Sequence, residues 1–310
     1  MQAVQKVNTV LVATYWQIGQ QIVEFEQKGN NRATYGAELL KDLSKDLKQQ
    51  FGKGFSKSNL YMMRLFYIKF PIFQTVSGKL SWSHYTELLS VSDDLAFSFY
   101  LKQTEVENWS VRELKRQINA SLFERIALSK DKKGIMELSK NGHIPQEARD
   151  VIKDPYVFEF LQPPEKAQWL EKEIEEALIN QLGQFLLELG KGFAFIGKQY
   201  RITLDNTHFY VDLVFYHRIL KCFVLIDLKK GKVNHQDIGQ MNLYLNYFEV
   251  EENTETDNKP IGIVLGADKN EILVEYATAG ITNQLFVSKY KLHLPNKEML
   301  KEEIKKLINP

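Results

Sequence analysis

Residues 209–231 read FYVDLVFYHRILKCFVLIDLKKG, and this stretch decides how the second half of the chain folds. Phe209 to His217 and Cys222 to Lys229 are dense in β-branched and aromatic residues, which favour strands, and the short connection from Arg218 to Lys221 makes them a hairpin. Each strand interrupts its apolar run with charge: Asp212 in the first, Asp227 and Lys229 in the second. Charges seldom enter buried strands without a purpose, because leaving water costs them several kcal/mol unless they are paired. Strand side chains alternate, so Asp227 and Lys229 share a face. With Asp212 on the same side, two carboxylates and an ammonium converge. A hard cation such as Mg²⁺ between the carboxylates would offset their repulsion.

Upstream, Ala167 to Leu189 carries a helical stripe of Leu170, Ile174, Leu178, Leu182, Phe185 and Leu189, closed by Gly190 and Gly192. Phe193 to Leu204 reads as a strand or strand pair. After the hairpin, the pattern gives a helix from about His235 to Phe248, a strand at Ile261 to Leu265, a short helix near Glu271 to Ala277, a strand near Leu285 to Val287 and a last helix from Asn296 to Ile308. The segment EVEENTETDNKP, 249–260, is acidic and lacks apolar anchors, and so reads as disordered.

Five blocks occur in order between Glu175 and Tyr244 and just beyond: EEALI, FLLELGKGFAFIGKQY, FYVDLVFYH, DLKKGK and GQMNLYLNYF. Together they resemble the PD-(D/E)xK nuclease superfamily, and within it the nuclease domain of YhcG-like bacterial proteins. The first half resembles the helical N-terminal region of the same proteins. Val211 stands where the superfamily name has proline, and Asp227 takes the D/E position. The resemblance implies a restriction-endonuclease-like α-β-β-β-α-β core in an α/β C-terminal domain, preceded by an all-α domain. It also implies metal-dependent hydrolysis of DNA phosphodiesters with Mg²⁺ or Mn²⁺, Asp212 and Asp227 being metal ligands and the backbone carbonyl of Leu228 a third. Lys229 would orient or help deprotonate water, or hold the scissile phosphate. The acidic residue of the preceding helix matches Glu175; its neighbour Glu176 competes, since the two differ by about 100° around the helix. Gln240 and Tyr244, four apart, match a QxxxY signature set beside the metal site, against the alternative that Tyr244 is core. Gln199 matches a family block, and Lys198 and Lys232 are candidate phosphate contacts beside it.

Residues 1–150 carry 21 Lys and Arg against 16 Asp and Glu, while the remainder carries 19 against 23. The basic half suits a polyanionic partner. Its helices are expected from the N-terminus to Gly29 (stripe Val4, Val7, Leu11, Ile18, Ile22, Phe25), from Tyr35 to Gln50, over SKSNLYMMRLFYIKF to Pro71, and over Ser83–Leu89, Asp93–Glu107 and Val111–Leu128. Helix, Gly-containing turn and helix around Phe51–Phe55 outline a helix-turn-helix offering Lys57, Ser58, Asn59, Tyr61 and Arg64 to DNA, against the alternative of a helical bundle with solvated polar residues. Ser110 and Glu113 form a capping box, and Arg112, Lys115, Arg116 and Arg125 make the following helix basic. Lys130 to Pro145 is polar and linker-like, which divides the chain into domains 1–145 and 146–310.

Other chemistry fits poorly. One cysteine, Cys222, excludes an intramolecular disulfide, and six histidines without an i, i+4 pair or HExxH leave a zinc hydrolase without ligands. No GxxxxGK[ST] loop and no GxSxG elbow occurs. No apolar run approaches the ~20 residues of a membrane span. The expectation is thus a cytoplasmic enzyme acting on DNA, with RNA as an alternative substrate and self-association through the helical region allowing both strands to be cut. The competing class is a non-catalytic nucleic-acid-binding or assembly protein retaining the fold. The first helix starts close to Met1, so an upstream segment is expected to be missing.

Overall fold

The computed structural model describes residues 2–28, 33–128, 132–143, 145–161, 170–293 and 296–308. They fall into two compact units, Met1–Ile118 and Asn119–Pro310. Among the described residues no helix is long and apolar enough to cross a membrane.

The first unit is helical: α1 (Gln2–Lys28), α2 (Ala33–Phe51), α3 (Lys57–Lys69), α4 (Trp82–Leu88), α5 (Asp94–Glu107) and α6 (Val111–Asn119). The Ser56 side chain accepts the Asn59 N–H and so starts α3, as expected. α1 crosses α3 at Gly19, where a Cβ would meet the Met63 carbonyl oxygen at 2.1 Å. That approach selects the buried face of α1, which carries Val12, Tyr15, Ile22 and Val23. The expected stripe is rotated: Val7 and Phe25 are exposed, and the side chain of Val4 lies outside the described residues. Tyr15 and Phe66 then meet Trp82 edge-on, and Tyr85 packs tilted against Phe66, to form an aromatic core.

The second unit contains α7 (Leu122–Ala127), α8 (Lys132–Asn141), β1 (Tyr156–Val157), α9 (Glu171–Asn180), α10 (Leu182–Leu189), β2 (Phe193–Leu204), β3 (Thr207–His217), β4 (Cys222–Lys232), α11 (His235–Tyr247), β5 (Ile261–Asp268), α12 (Glu271–Thr278), β6 (Gln284–Lys291) and α13 (Lys297–Ile308). From α9 to β5 this is the expected α-β-β-β-α-β succession, with the first helix broken at Gln181. The sheet order is β1-β6-β5-β4-β3-β2. β2, β3 and β4 are antiparallel, whereas β5 joins β4 and β6 joins β5 in parallel. β4 is central and apolar on both faces, as a doubly covered strand must be. Val224 and Ile226 pack with Ile174, Leu178 and Phe185 of α9 and α10, while Leu225 packs with Ile238, Met241 and Leu245 of α11. Cys222 is a core residue on this strand, and burial pushes its thiol up to about 12.

Three expectations are corrected. The helix over 111–128 breaks at Ser121, which is buried with φ 53°, and the break turns Arg125 inward. Arg125 touches no solvent: its guanidinium pairs with Glu188 at 2.6 Å and donates to the carbonyls of Ala120 and Pro155, while Glu188 also accepts the Val157 N–H. The linker-like stretch contains α8, whose Ile135 and Leu138 are buried, so α7 and α8 fold with the second unit rather than the first. The acidic segment 249–260 is ordered. Phe248 seats a π turn to Glu252, Tyr200 donates to Glu252 and Tyr216 to Asp257, and Asn258 bonds the carbonyls of Leu220 and Lys221.

A buried pair with its remaining donors satisfied is costly to halve. Glu188→Gln or Arg125→Met should each destabilise the second unit by about 3–5 kcal/mol, and the double variant should recover part of the loss. Urea unfolding of the three variants checks this; equal, additive effects would show that the pair is not coupled.

Candidate active site

The β3–β4 ladder ends at Leu213↔Ile226, one residue short of both aspartates. Beyond that point β3 leaves its partner, and the Leu228 N–H donates to Asp212 Oδ2 at 2.8 Å. A side-chain carboxylate thereby satisfies a backbone donor that the ladder has released. Leu228 contributes to the site through this N–H. Asp227 projects to the α11 side of β4 and is 2% exposed. Lys229, two residues on, returns along the same face and sets Nζ 2.8 Å from Asp227 Oδ2 and 3.9 Å from Asp237 Oδ1 of α11.

From the other side of the sheet, α9 presents Glu175 and not Glu176. Glu175 is 8% exposed, whereas Glu176 is exposed and lies 3.9 Å from Lys172. Gln199 joins the two sides. Its amide donates to Glu175 Oε2 at 2.8 Å and to Asp212 Oδ1 at 3.1 Å from a backbone with φ 48°. That left-handed value is uncommon for a residue with a side chain, and here it aims the amide between two carboxylates. Glu171, Lys172, Glu175, Glu176, Lys198, Gln199, Asp212 and Lys229 line a cleft of about 520 Å³.

Electrostatics follow from burial. Desolvation and then the neighbouring Asp212 raise the Asp227 pKa to about 7, and Lys229 only partly opposes them. Burial and then Asp212 raise Glu175 too, opposed by Gln199 and Lys198. For Lys229, burial alone would lower the pKa, but Asp227, Asp212 and Asp237 outweigh it and the net shift is upward. These carboxylates favour the ammonium form of Lys229, which donates hydrogen bonds.

The donor set fits a hard divalent cation. Asp227 Oδ2 is buried and accepts no directed hydrogen bond, even with the Lys229 ammonium close by, and the carboxylate oxygens of Asp212 sit beside it. Among the described residues no three acidic, histidine or cysteine side chains form a complete metal cage, consistent with Gln199 standing between Glu175 and Asp212.

Other expected residues are placed as follows. Tyr244 is core: it is fully buried, Gln240 donates to its hydroxyl, and that hydroxyl donates to the Tyr210 carbonyl at 3.0 Å. Gln240 and Tyr244 thus brace β3 behind Asp212. Lys198 and Lys232 are exposed, with Lys198 on the cleft wall and Lys232 at the end of β4. In the first unit Lys57 is exposed and Arg64 half-buried. Asn59 is corrected to a structural residue, since its amide donates to the Gly54 carbonyl and accepts from the Trp82 indole at 2.8 Å. Two participants were missed. Glu171 accepts the Lys230 N–H at 2.8 Å, and Asp237, readable as the third helical residue after the Asn234 cap, also faces Lys229.

Residues 149–305 match the family described as the YhcG PDDEXK nuclease domain, and residues 1–125 match the DUF1016 N-terminal domain. The chain belongs to the YhcG family. It is 43% identical over 338 aligned positions to "Putative nuclease YhcG" of Escherichia coli (strain K12), covering 98% of this chain and 89% of the relative. Two solved structures are also similar: a repair endonuclease from Pyrococcus abyssi (17% identical, TM-score 0.29) and an EndoMS–dsDNA complex (16%, TM-score 0.29). Each covers 43% of this chain and half of its own. The C-terminal unit has the PDDEXK restriction-endonuclease-like fold of the family.

The carboxyl of Asp227 titrates higher in the folded protein than in the unfolded chain, so its destabilising contribution is absent below about pH 4, grows as pH rises, and is complete above about 7. In EDTA, Asp227→Asn should raise thermal stability at about pH 8, by about 1–3 kcal/mol after loss of the Lys229 contact, and leave it unchanged at about pH 4. Melting curves at the two pH values decide; equal differences at both would exclude a titrating Asp227.

Proposed function

We propose that the chain is a divalent-metal-dependent nuclease that hydrolyses DNA phosphodiester bonds. One observation carries this: Asp212, Asp227 and Lys229 converge where β3 and β4 part, with Glu175 linked to them through Gln199. Asp212 and Asp227, with the Leu228 carbonyl and Glu175, would hold Mg²⁺ or Mn²⁺. When bound, such an ion neutralises charge building on the phosphoryl group and acidifies water.

The chain's own groups do the rest. Lys229, with Nζ 2.8 Å from Asp227 Oδ2, donates to a nonbridging oxygen of the scissile phosphate, or orients or helps deprotonate the attacking water. Its ion pair with Asp227 keeps Nζ in the site. Gln199 orients Glu175 and Asp212 at once, which fixes the spacing of the acidic donors. The Tyr244 hydroxyl on the Tyr210 carbonyl holds β3 in place beside Asp212. Lys198 and Lys232 contact flanking phosphates. The N-terminal unit supplies DNA or partner binding, in which Lys57 and Arg64 of the α2–α3 arrangement take part, and association of two copies would place two sites on one duplex.

Supercoiled, linear and branched DNA, with RNA beside them, should be incubated with the wild type, Asp227→Ala and Lys229→Ala in Mg²⁺, Mn²⁺ and EDTA. Cutting by the wild type in metal alone is expected, with Asp227→Ala inactive and Lys229→Ala slowed about 10²–10³-fold. Binding without cutting by all three would replace the enzyme with a nucleic-acid-binding protein; RNA cutting alone would change the substrate.

A further inference from the structure

Past Asp212, β2 and β3 continue as a two-stranded ribbon with dissimilar faces. Tyr200, Ile202, Phe209 and Val211 pack toward α11. The alternate residues pair across the strands as Arg201↔Tyr210 and Thr203↔His208, and all four are exposed. Tyr210 is 47% exposed although it is two residues from Asp212. Its backbone is fixed from beneath, because its carbonyl accepts the Tyr244 hydroxyl. Thr203 Oγ1 and His208 Nδ1 lie 3.0 Å apart and order the outer pair. The ribbon closes on Asp205 and Asn206, both at positive φ as a tight hairpin turn requires.

We propose that this outer ribbon face receives a single-stranded segment of nucleic acid, with Tyr210 stacking on a base and Arg201 contacting a phosphate. The proposal rests on the nuclease reading of the adjoining cleft and adds to it the form of the substrate. Two residues of strand advance about 7 Å, close to the step between successive nucleotides of an extended strand. A base next to a phosphate seated at Asp212 thus reaches Tyr210. A cation and an aromatic ring directly opposite each other, on a face otherwise without acid until Asp205, complement a polyanion whose bases are splayed out. Duplex DNA keeps its bases stacked internally and cannot use an aromatic platform in this way. Charged residues also protect edge strands from mispairing, and that role accounts for Arg201 and Lys198. It leaves the half-exposed Tyr210 unexplained.

Anisotropy of labelled single-stranded and duplex oligonucleotides with the full-length wild type, Tyr210→Ala, Tyr210→Phe and Arg201→Ala tests this, alongside cleavage kinetics. Tyr210→Ala should weaken single-strand binding about 5- to 150-fold and raise KM more than it lowers kcat, while Tyr210→Phe stays within about 2-fold. Arg201→Ala should lower the salt dependence of single-strand binding by about 0.7 in slope. A single-stranded RNA arm distinguishes the two polynucleotides. If the wild type binds and cuts while Tyr210→Ala matches it, or loses duplex and single-strand affinity equally, the ribbon assignment is wrong and the nuclease reading stands. If the wild type neither binds nor cuts, both fall.

Discussion

A carboxylate buried in the central strand of a sheet, at Asp227, is the constraint from which the rest of the second unit follows. It sits among Val224, Leu225, Ile226 and Leu228, all essentially excluded from water, and its charge must be compensated locally. Lys229 compensates part of it, and Asp212 adds to the strain. Such a group lowers the stability of the fold, and a buried carboxylate with a raised pKa beside a cleft marks a site for chemistry more than for structure. The surrounding architecture holds it in place: α11 braces β3 through Tyr244, α9 brings Glu175, and Gln199 couples them.

A second buried ion pair among the described residues is built differently. Arg125 and Glu188 have backbone partners on every side, two carbonyls for the guanidinium and the Val157 N–H for the carboxylate. That pair is closed. At Asp227 an oxygen lies beside an ammonium without a directed hydrogen bond, and the neighbouring carboxylates point into a cleft. One arrangement finishes a fold, and the other leaves capacity for a ligand.

Much of this was legible in the sequence because strands and buried charge leave local marks. The β-branched runs, the glycine after α10 and the alternation of Asp227 with Lys229 locate the hairpin and its reactive face, and the flank of the α9 stripe favours Glu175 over Glu176. What was not legible depends on partners far along the chain. Arg125 reads as one more cation of a basic surface helix until the kink at Ser121 and its pairing with Glu188, 63 residues away, place it in the core. The acidic turn after α11 looks unanchored until Tyr200 and Tyr216 supply its donors from 52 and 41 residues away. Composition registers charge and not the group that will meet it. Likewise, strand alternation predicts a shared face for Asp227 and Lys229 but not that the ladder stops at Leu213↔Ile226, which is what lets Asp212 reach the Leu228 amide. The two-residue β1 is too short to leave a periodic signal.

Calorimetric titration of Mn²⁺ into the wild type and into Asp212→Ala is the most direct measurement of the central claim, that these carboxylates form a cation site. Saturable binding by the wild type, with a rise in melting temperature that Asp212→Ala lacks, is the predicted result. Equal heats and equal stabilisation in both proteins would contradict it, and would make the buried Asp227 and its lysine an element of the fold alone.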